Sequence, residues 1–180
     1  MVYCFLADGF EELEAIAPID MLKRAGVEVI TVGVTGKNVT GSHGIIFVAD
    51  ITEEEIVLDE KLDAVILPGG MPGTLNLEKS KTVQSSIDYA YDNGKLLCAI
   101  CAAPSILGHK GLLSGKNATA FPGFENDLEG ANTNGDYVVR DGNFITAKGA
   151  GVATEFGLEI VRYLVSKEKS DEIKATIQSR

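Results

Sequence analysis

The chain has 180 residues, of which 45% are apolar and 23% charged, with a net charge of −10. That length is enough to bury a sizeable core within one domain spanning residues 1–180. No apolar run approaches the roughly 18 to 20 residues of a membrane span, and the acidic balance argues against nucleic acid and anionic membranes, polyanions that call for basic patches.

Met1 leads straight into VYCFLA (2–7), a short apolar strand, with no basic start and no cleavage site of a signal peptide. Three cysteines are too few, and too odd in number, for a disulfide framework, so a reducing, cytoplasmic setting is expected. After Asp8-Gly9 a helical stretch runs from Phe10 to Ala25, stopped by Gly26, with Pro18 as a kink or restart. VEVITVGV (27–34) is β-branched and strand-like, and the turn-rich segment 35–50 predicts a hairpin. AVILPGG (64–70) is a buried strand ending in paired glycines, VQSSIDYAYDNG (83–94) is helical, and KLLCAI (95–100) is a second fully apolar strand. Two runs around Asp141-Gly142 predict another hairpin, and a helix from about Ala153 to Val165 precedes a short charged tail. Strands apolar on both faces, alternating with helices, indicate a mainly parallel sheet covered on both sides, an α/β sandwich.

Two cysteines fall in the pattern C-A-I-C, Cys98 to Cys101. A thioredoxin-type pair places both thiols in the first turn of a helix, but Cys98 lies inside the apolar strand. Strand residues three apart are about 10 Å apart, beyond the roughly 7 Å a disulfide spans. Zinc is disfavoured too, because there is no second C-x-x-C and no nearby histidine pair. The remaining reading is a single reactive thiol. The strand runs directly into Cys101, then Ala102-Ala103-Pro104 opens a short helix, which is the layout of a nucleophile elbow. A helix N-terminus is expected to lower the Cys101 pKa, while Cys4 and Cys98 are structural.

In the first helix, Phe10, Leu13, Ala17 and Met21 fall on one core-facing stripe at about 100° per residue. Glu14 lies inside that stripe, and Glu12 projects to the opposite side. A buried carboxyl is expected to titrate high and to donate a hydrogen bond to a nearby thiolate, or instead to cap a loop or pair with Arg24. Ile16 and Ile19 form a second apolar face, which suggests a subunit contact. At the end of LPGG (67–70), the Gly70 amide, with that of Ala102 just after the nucleophile, is a candidate for an oxyanion hole, and Gly69 allows close backbone approach.

The segments DGFEELEAIAPIDMLKRAG, LPGGMPG, AICAAP and FPGFE together resemble the ThiJ/PfpI superfamily, in the branch of the Parkinson-associated protein and the bacterial ThiJ-like proteins. The resemblance runs from Met1 to about Val165. It implies a flavodoxin-like three-layer sandwich of the class I glutamine amidotransferase-like type, and a homodimer. By position it makes Cys101 the reactive, oxidisable cysteine, Glu14 the acid bonded to its thiol, and Gly70 and Ala102 the oxyanion-hole amides. Two departures stand out: Ala102 follows the cysteine where protease-like members have a histidine, and Phe121 precedes Pro122 where some members have a histidine. His43 sits in the hairpin where the family often has an arginine near the partner's site, and His109 lies past the elbow helix.

The resemblance implies cofactor-free chemistry with no metal. Cys101 and Glu14 would convert methylglyoxal or glyoxal to a hydroxy acid, or remove early glycation adducts, under oxidative or carbonyl stress. The alternative is a redox sensor or chaperone acting through oxidation of Cys101. A thiazole-biosynthesis role is weaker, since no thiazole-phosphate site is evident. Protease or glutaminase activity is not expected without a histidine base.

Overall fold

The structure, a computed structural model, describes residues 1–179. Strand β1 (Val2–Leu6) is followed by helix α1 (Glu12–Arg24), β2 (Val29–Gly33), the hairpin β3 (Asn38–Thr40) and β4 (Ile46–Val48), and the short β5 (Ile51–Thr52). Next come β6 (Ala64–Leu67), α2 (Gly73–Lys79), α3 (Lys81–Asp92), β7 (Leu96–Ile100) and α4 (Pro104–His109). The hairpin β8 (Val138–Asp141) and β9 (Phe144–Ala147) leads to α5 (Ala153–Leu164) and α6 (Lys167–Thr176).

Seven strands form one sheet in the order β5-β2-β1-β6-β7-β9-β8, with β3-β4 apart as a second, two-stranded sheet. All pairings of the main sheet are parallel except β8 with β9. Alternate strand residues feed the two faces, as the period of two requires. Cys4, Ile66, Cys98 and Ile145 pack towards α1 and α5, whereas Phe5, Val65, Leu97 and Phe144 pack towards α2, α3 and α4. This is the expected flavodoxin-like sandwich.

Helix α1 corrects several expectations. It starts at Glu12, so Phe10 lies before it and the stripe counted from Phe10 is out of phase. Leu13 is 59% exposed; the buried face carries Ala15, Pro18, Ile19, Met21 and Leu22. Ile19 therefore belongs to the core, while Ile16 is exposed. The helix runs through Pro18 without a restart, and there it meets Gly157 of α5. A Cβ on Gly157 would stand 2.8 Å from the Pro18 Cα, so the missing side chain lets the two helices approach.

The charged tail is also helical. Ser166 caps α6 by accepting the Lys169 amide at 3.1 Å, Lys167 pairs with Asp171 and Lys169 with Glu172. One apolar residue, Ile173, seats the helix in the core.

Candidate functional site

The parallel strands β6 and β7 end side by side, and the chain leaving each of them builds the site. Beyond β7, Cys101 adopts φ +64°, a left-handed conformation that costs a non-glycine residue of order 1–3 kcal/mol. The surroundings hold it there. Its amide donates to the Ala147 carbonyl at 2.8 Å, and its carbonyl accepts the Phe121 amide at 2.8 Å. Ser105 ties down the turn that follows, its hydroxyl donating to the Ala102 carbonyl at 2.7 Å. The elbow read from the sequence is therefore present, with α4 opening at Pro104.

Beyond β6, Gly69 and Gly70 pass against the start of α1. A Cβ on Gly69 would stand 2.6 Å from the Cys101 Cβ and 2.7 Å from Glu14 Oε2. Only glycine allows strand end, acid and cysteine to converge this closely. Gly70 has φ +91°, which again favours glycine.

Glu14 is 1% exposed and projects from the first turn of α1. Its Oε2 accepts the Gly69 amide at 2.9 Å, and the carboxyl is hydrogen-bonded to the Ala150 amide and the Cys101 thiol. Burial pushes its pKa up to about 7, aided by the nearby Glu11 charge and opposed by the Cys101 and backbone hydrogen bonds. The direction agrees with the sequence reading.

The Cys101 expectation does not hold in direction. Burial, together with the charge and hydrogen bond of Glu14, pushes the thiol up to about 12, although the amides of Ala102 and Gly70 reach the sulfur and pull the other way. The helix-end effect is outweighed because the neighbouring group is an acid. Two acids in contact lose their protons in sequence: the pair gives up one near 7 and keeps the second to about 12. Between those limits the pair holds one proton, and a form with it on Glu14 would carry the thiolate. Cys4 and Cys98 are fully buried and free, and burial raises both of their thiols.

The other sequence candidates separate into near and far. Phe121 and Pro122 line a cavity of about 460 Å³ with Tyr137, Lys148 and residues 149–152. Arg24 is remote from Glu14: it sits at the other end of α1, ion-paired with Asp20 at 2.8 Å, because an arginine ten positions along the helix cannot reach back to its first turn. His109 is bonded to Glu78 at 2.6 Å and faces Asp127 at 3.8 Å. His43 Nδ1 lies 2.7 Å from Glu12 Oε2. Neither histidine is among the groups that act on the Cys101 thiol.

Glu12 is buried, not turned to solvent as expected. It accepts the His43 amide at 2.8 Å as well as the ring and the Ser42 hydroxyl, so the β3-β4 turn is clasped to α1. Against the cost of burial, the His43 ring and the amides of Glu12, His43 and Ile45 draw its pKa down to about 2. Among the described residues, Glu11, Glu12 and His43 are the set whose potential metal-ligand atoms lie within 4.8 Å of one another. The Glu12 carboxylate is already taken up by this clasp. The sequence cue that was missed is the polar turn Ser42-His43 facing an acid at a helix start.

The chain is similar to known proteins along most of its length. The model of the DJ-1/PfpI family matches residues 1–163. Protein dj-1beta of Drosophila melanogaster is 37% identical over 170 residues, covering 93% of this chain and 91% of that protein. A protein of Pyrococcus abyssi named as a deglycase is 34% identical over 162 residues, covering 88% of this chain and 95% of its own length. The chain spans 45% of the length of Arabidopsis thaliana DJ-1 homolog A, another relative at 37% identity. The solved structure of Toxoplasma gondii DJ-1 in oxidized form superposes with a TM-score of 0.93 at 32% identity, covering 99% of this chain and 97% of that one. With a family match across nine tenths of its length and a sandwich that superposes end to end, the chain belongs to the DJ-1/PfpI family.

Proposed function

We propose that the protein is a cysteine-dependent, cofactor-free enzyme of the glyoxalase and deglycase type, acting on methylglyoxal, glyoxal or early glycation adducts. The observation that supports this best is the arrangement of a strained elbow cysteine bonded to a buried acid, with two amides on its sulfur. The deglycase name of the Pyrococcus relative points the same way.

The chemistry follows from the pair. The Cys101 thiol passes its proton to Glu14 as the sulfur attacks the aldehyde carbon, forming a C–S bond. The Gly70 and Ala102 amides hold the oxygen that gains charge. Glu14 returns its proton to that oxygen, then removes the hydrogen of the former aldehyde carbon as a proton and delivers it to the adjacent ketone carbon, while the hydroxyl proton passes to the former ketone oxygen. The resulting thioester is hydrolysed by water to an α-hydroxy acid, which frees the thiol. One carbon is oxidised as its neighbour is reduced, so no external electron acceptor enters the balance.

Oxidation of Cys101 is a second reading, and one observation favours it. The same two amides and a protonated Glu14 would stabilise a sulfinate, and the Toxoplasma relative has been solved oxidized. For both readings we propose a homodimer. Leu13 and Ile16 are exposed on α1, and Ile45, Ile46 and Val48 are exposed on the hairpin clasped to it.

The test is methylglyoxal consumption with chiral lactate detection on wild type and Cys101→Ser. Turnover lost in the variant upholds the enzyme. No turnover in wild-type protein with Cys101 reduced, checked by intact mass, overturns it in favour of redox sensing.

A further inference from the structure

The cavity beside the elbow has room and a lining that a three-carbon aldehyde does not use. At about 460 Å³ it falls in the size range of small-molecule sites. It is built from the same segments that hold the nucleophile and the acid. Phe121 on one wall donates its amide to the Cys101 carbonyl, and Ala150 on the other donates its amide to Glu14. Gly149 lies between them, where a Cβ would stand 3.3 Å from the Phe121 ring and 3.7 Å from Glu14 Oε1.

Lys148 adds a cation to this mostly apolar lining. Its amide donates to the Tyr137 carbonyl at 2.9 Å, and its Nζ stands 4.9 Å from the centre of the Tyr137 ring. Among the described residues the lysine side chains in ion pairs are those of Lys110, Lys167 and Lys169, and Lys148 is in none. Glu125 feels its charge but is tied to the Gly123 amide at 2.6 Å. In a chain with a net charge of −10, an uncommitted ammonium in the wall of the cavity beside the nucleophile favours an anion.

We propose that this cavity is a specificity subsite for α-oxoaldehydes carried on an aromatic or apolar body that ends in a carboxylate. The body would pack on Phe121, Pro122 and Val152, and Lys148, steadied by Tyr137, would take the carboxylate. The proposal rests on the reading of Cys101 as a nucleophile towards α-oxoaldehydes. The reaction balances as before: the oxoaldehyde plus water gives the α-hydroxy acid, and the remote carboxylate is unchanged.

The test compares kcat/KM for para-carboxyphenylglyoxal and para-methylphenylglyoxal, which share the reacting dicarbonyl and the ring. Wild type should prefer the carboxylate about five- to tenfold, chiefly through KM. In Lys148→Met the ratio should fall to within about twofold, and in Lys148→Arg it should persist. No preference in wild type, or a preference that survives Lys148→Met, overturns the subsite. If neither compound turns over, methylglyoxal turnover decides the enzymatic reading, and binding decides the subsite separately. Unreactive para-acetylbenzoate and para-methylacetophenone are then titrated by NMR into wild type and Lys148→Met. Tighter binding of the anion, lost in the variant, upholds the subsite; equal binding overturns it.

Discussion

The Cys101 thiol is hydrogen-bonded to the buried carboxyl of Glu14; the acid raises the thiol's hold on its proton, while the thiol's hydrogen bond lowers the hold that burial gives the carboxyl. Alkylation of Cys101 should therefore rise with pH in two phases, the first with a midpoint near 7 and the second near 12. Glu14→Gln removes the charge and the acidic hydrogen bond, so the variant should show one phase, with its midpoint below 12. Iodoacetamide rates against pH, read by intact mass, check this. A wild-type profile without the lower phase would refute the one-proton form of the pair.

The same carboxyl links stability to pH. Its folded pKa of about 7 stands above its ordinary 4.5, so its favourable contribution is complete below about 4.5 and is lost as pH rises through 7. The change across that window is about 3 kcal/mol in order of magnitude. Urea unfolding at both ends of the window should show wild type losing stability relative to Glu14→Gln as pH rises. A difference between the two proteins that stays constant with pH would count against the assignment.

Much of this site was legible because its cues are local. Glycine pairs, a cysteine at the end of an apolar strand and a proline three residues on specify an elbow without any partner being known. Glu14 was found by its place among apolar neighbours. The phase of α1 was not legible, because Phe10 packs in the core from outside the helix and mimics a helical position. Glu12 was missed since its partners come from a hairpin about 30 residues away. The thiol pKa was misjudged in direction because sequence shows the helix start but not the depth of burial. Helix α6 was missed because a single buried isoleucine gives almost no periodic signal.

Gly69 leaves no room for a side chain. In Gly69→Ala the new methyl would meet the Cys101 Cβ at 2.6 Å, Glu14 Oε2 at 2.7 Å and the Ile100 carbonyl at 2.9 Å. Two of these are fixed by backbone, so the strand ends must separate. The expected cost is about 1–3 kcal/mol, with loss of the lower alkylation phase. Gly36→Ala, at an open position with φ +127°, controls for backbone strain alone and should leave that phase intact.

The clasp between Glu12 and His43 should govern the hairpin rather than the nucleophile. Glu12 titrates low, so its contribution is present above about 4.5 and is lost as pH falls towards 2. His43 titrates above its ordinary value because of Glu12, so the charged form of the pair fades as pH rises through that raised pKa. Between the two limits, Glu12→Gln should lower hydrogen-exchange protection in residues 38–48 by about tenfold, while protection in β7 stays as it was. Equal loss in both segments would mean that Glu12 supports the whole fold.

The exposed apolar face of α1 gives the last prediction. Leu13 and Ile16 lie one turn apart and open to solvent, beside a hairpin that presents Ile46 and Val48 outward. Exposed apolar side chains on two joined elements are surface that water disfavours, and a second copy of the chain offers the same surface in return. Replacing Ile16 by lysine puts a charge at its centre. Its own fold loses little, because Ile16 is 40% exposed and helical lysine is well tolerated. Sedimentation should therefore show wild type as a dimer and Ile16→Lys shifted towards monomer, with circular dichroism unchanged. A wild-type monomer at micromolar concentration would remove the dimer from the proposal, and an Ile16→Lys dimer would move the interface to another face.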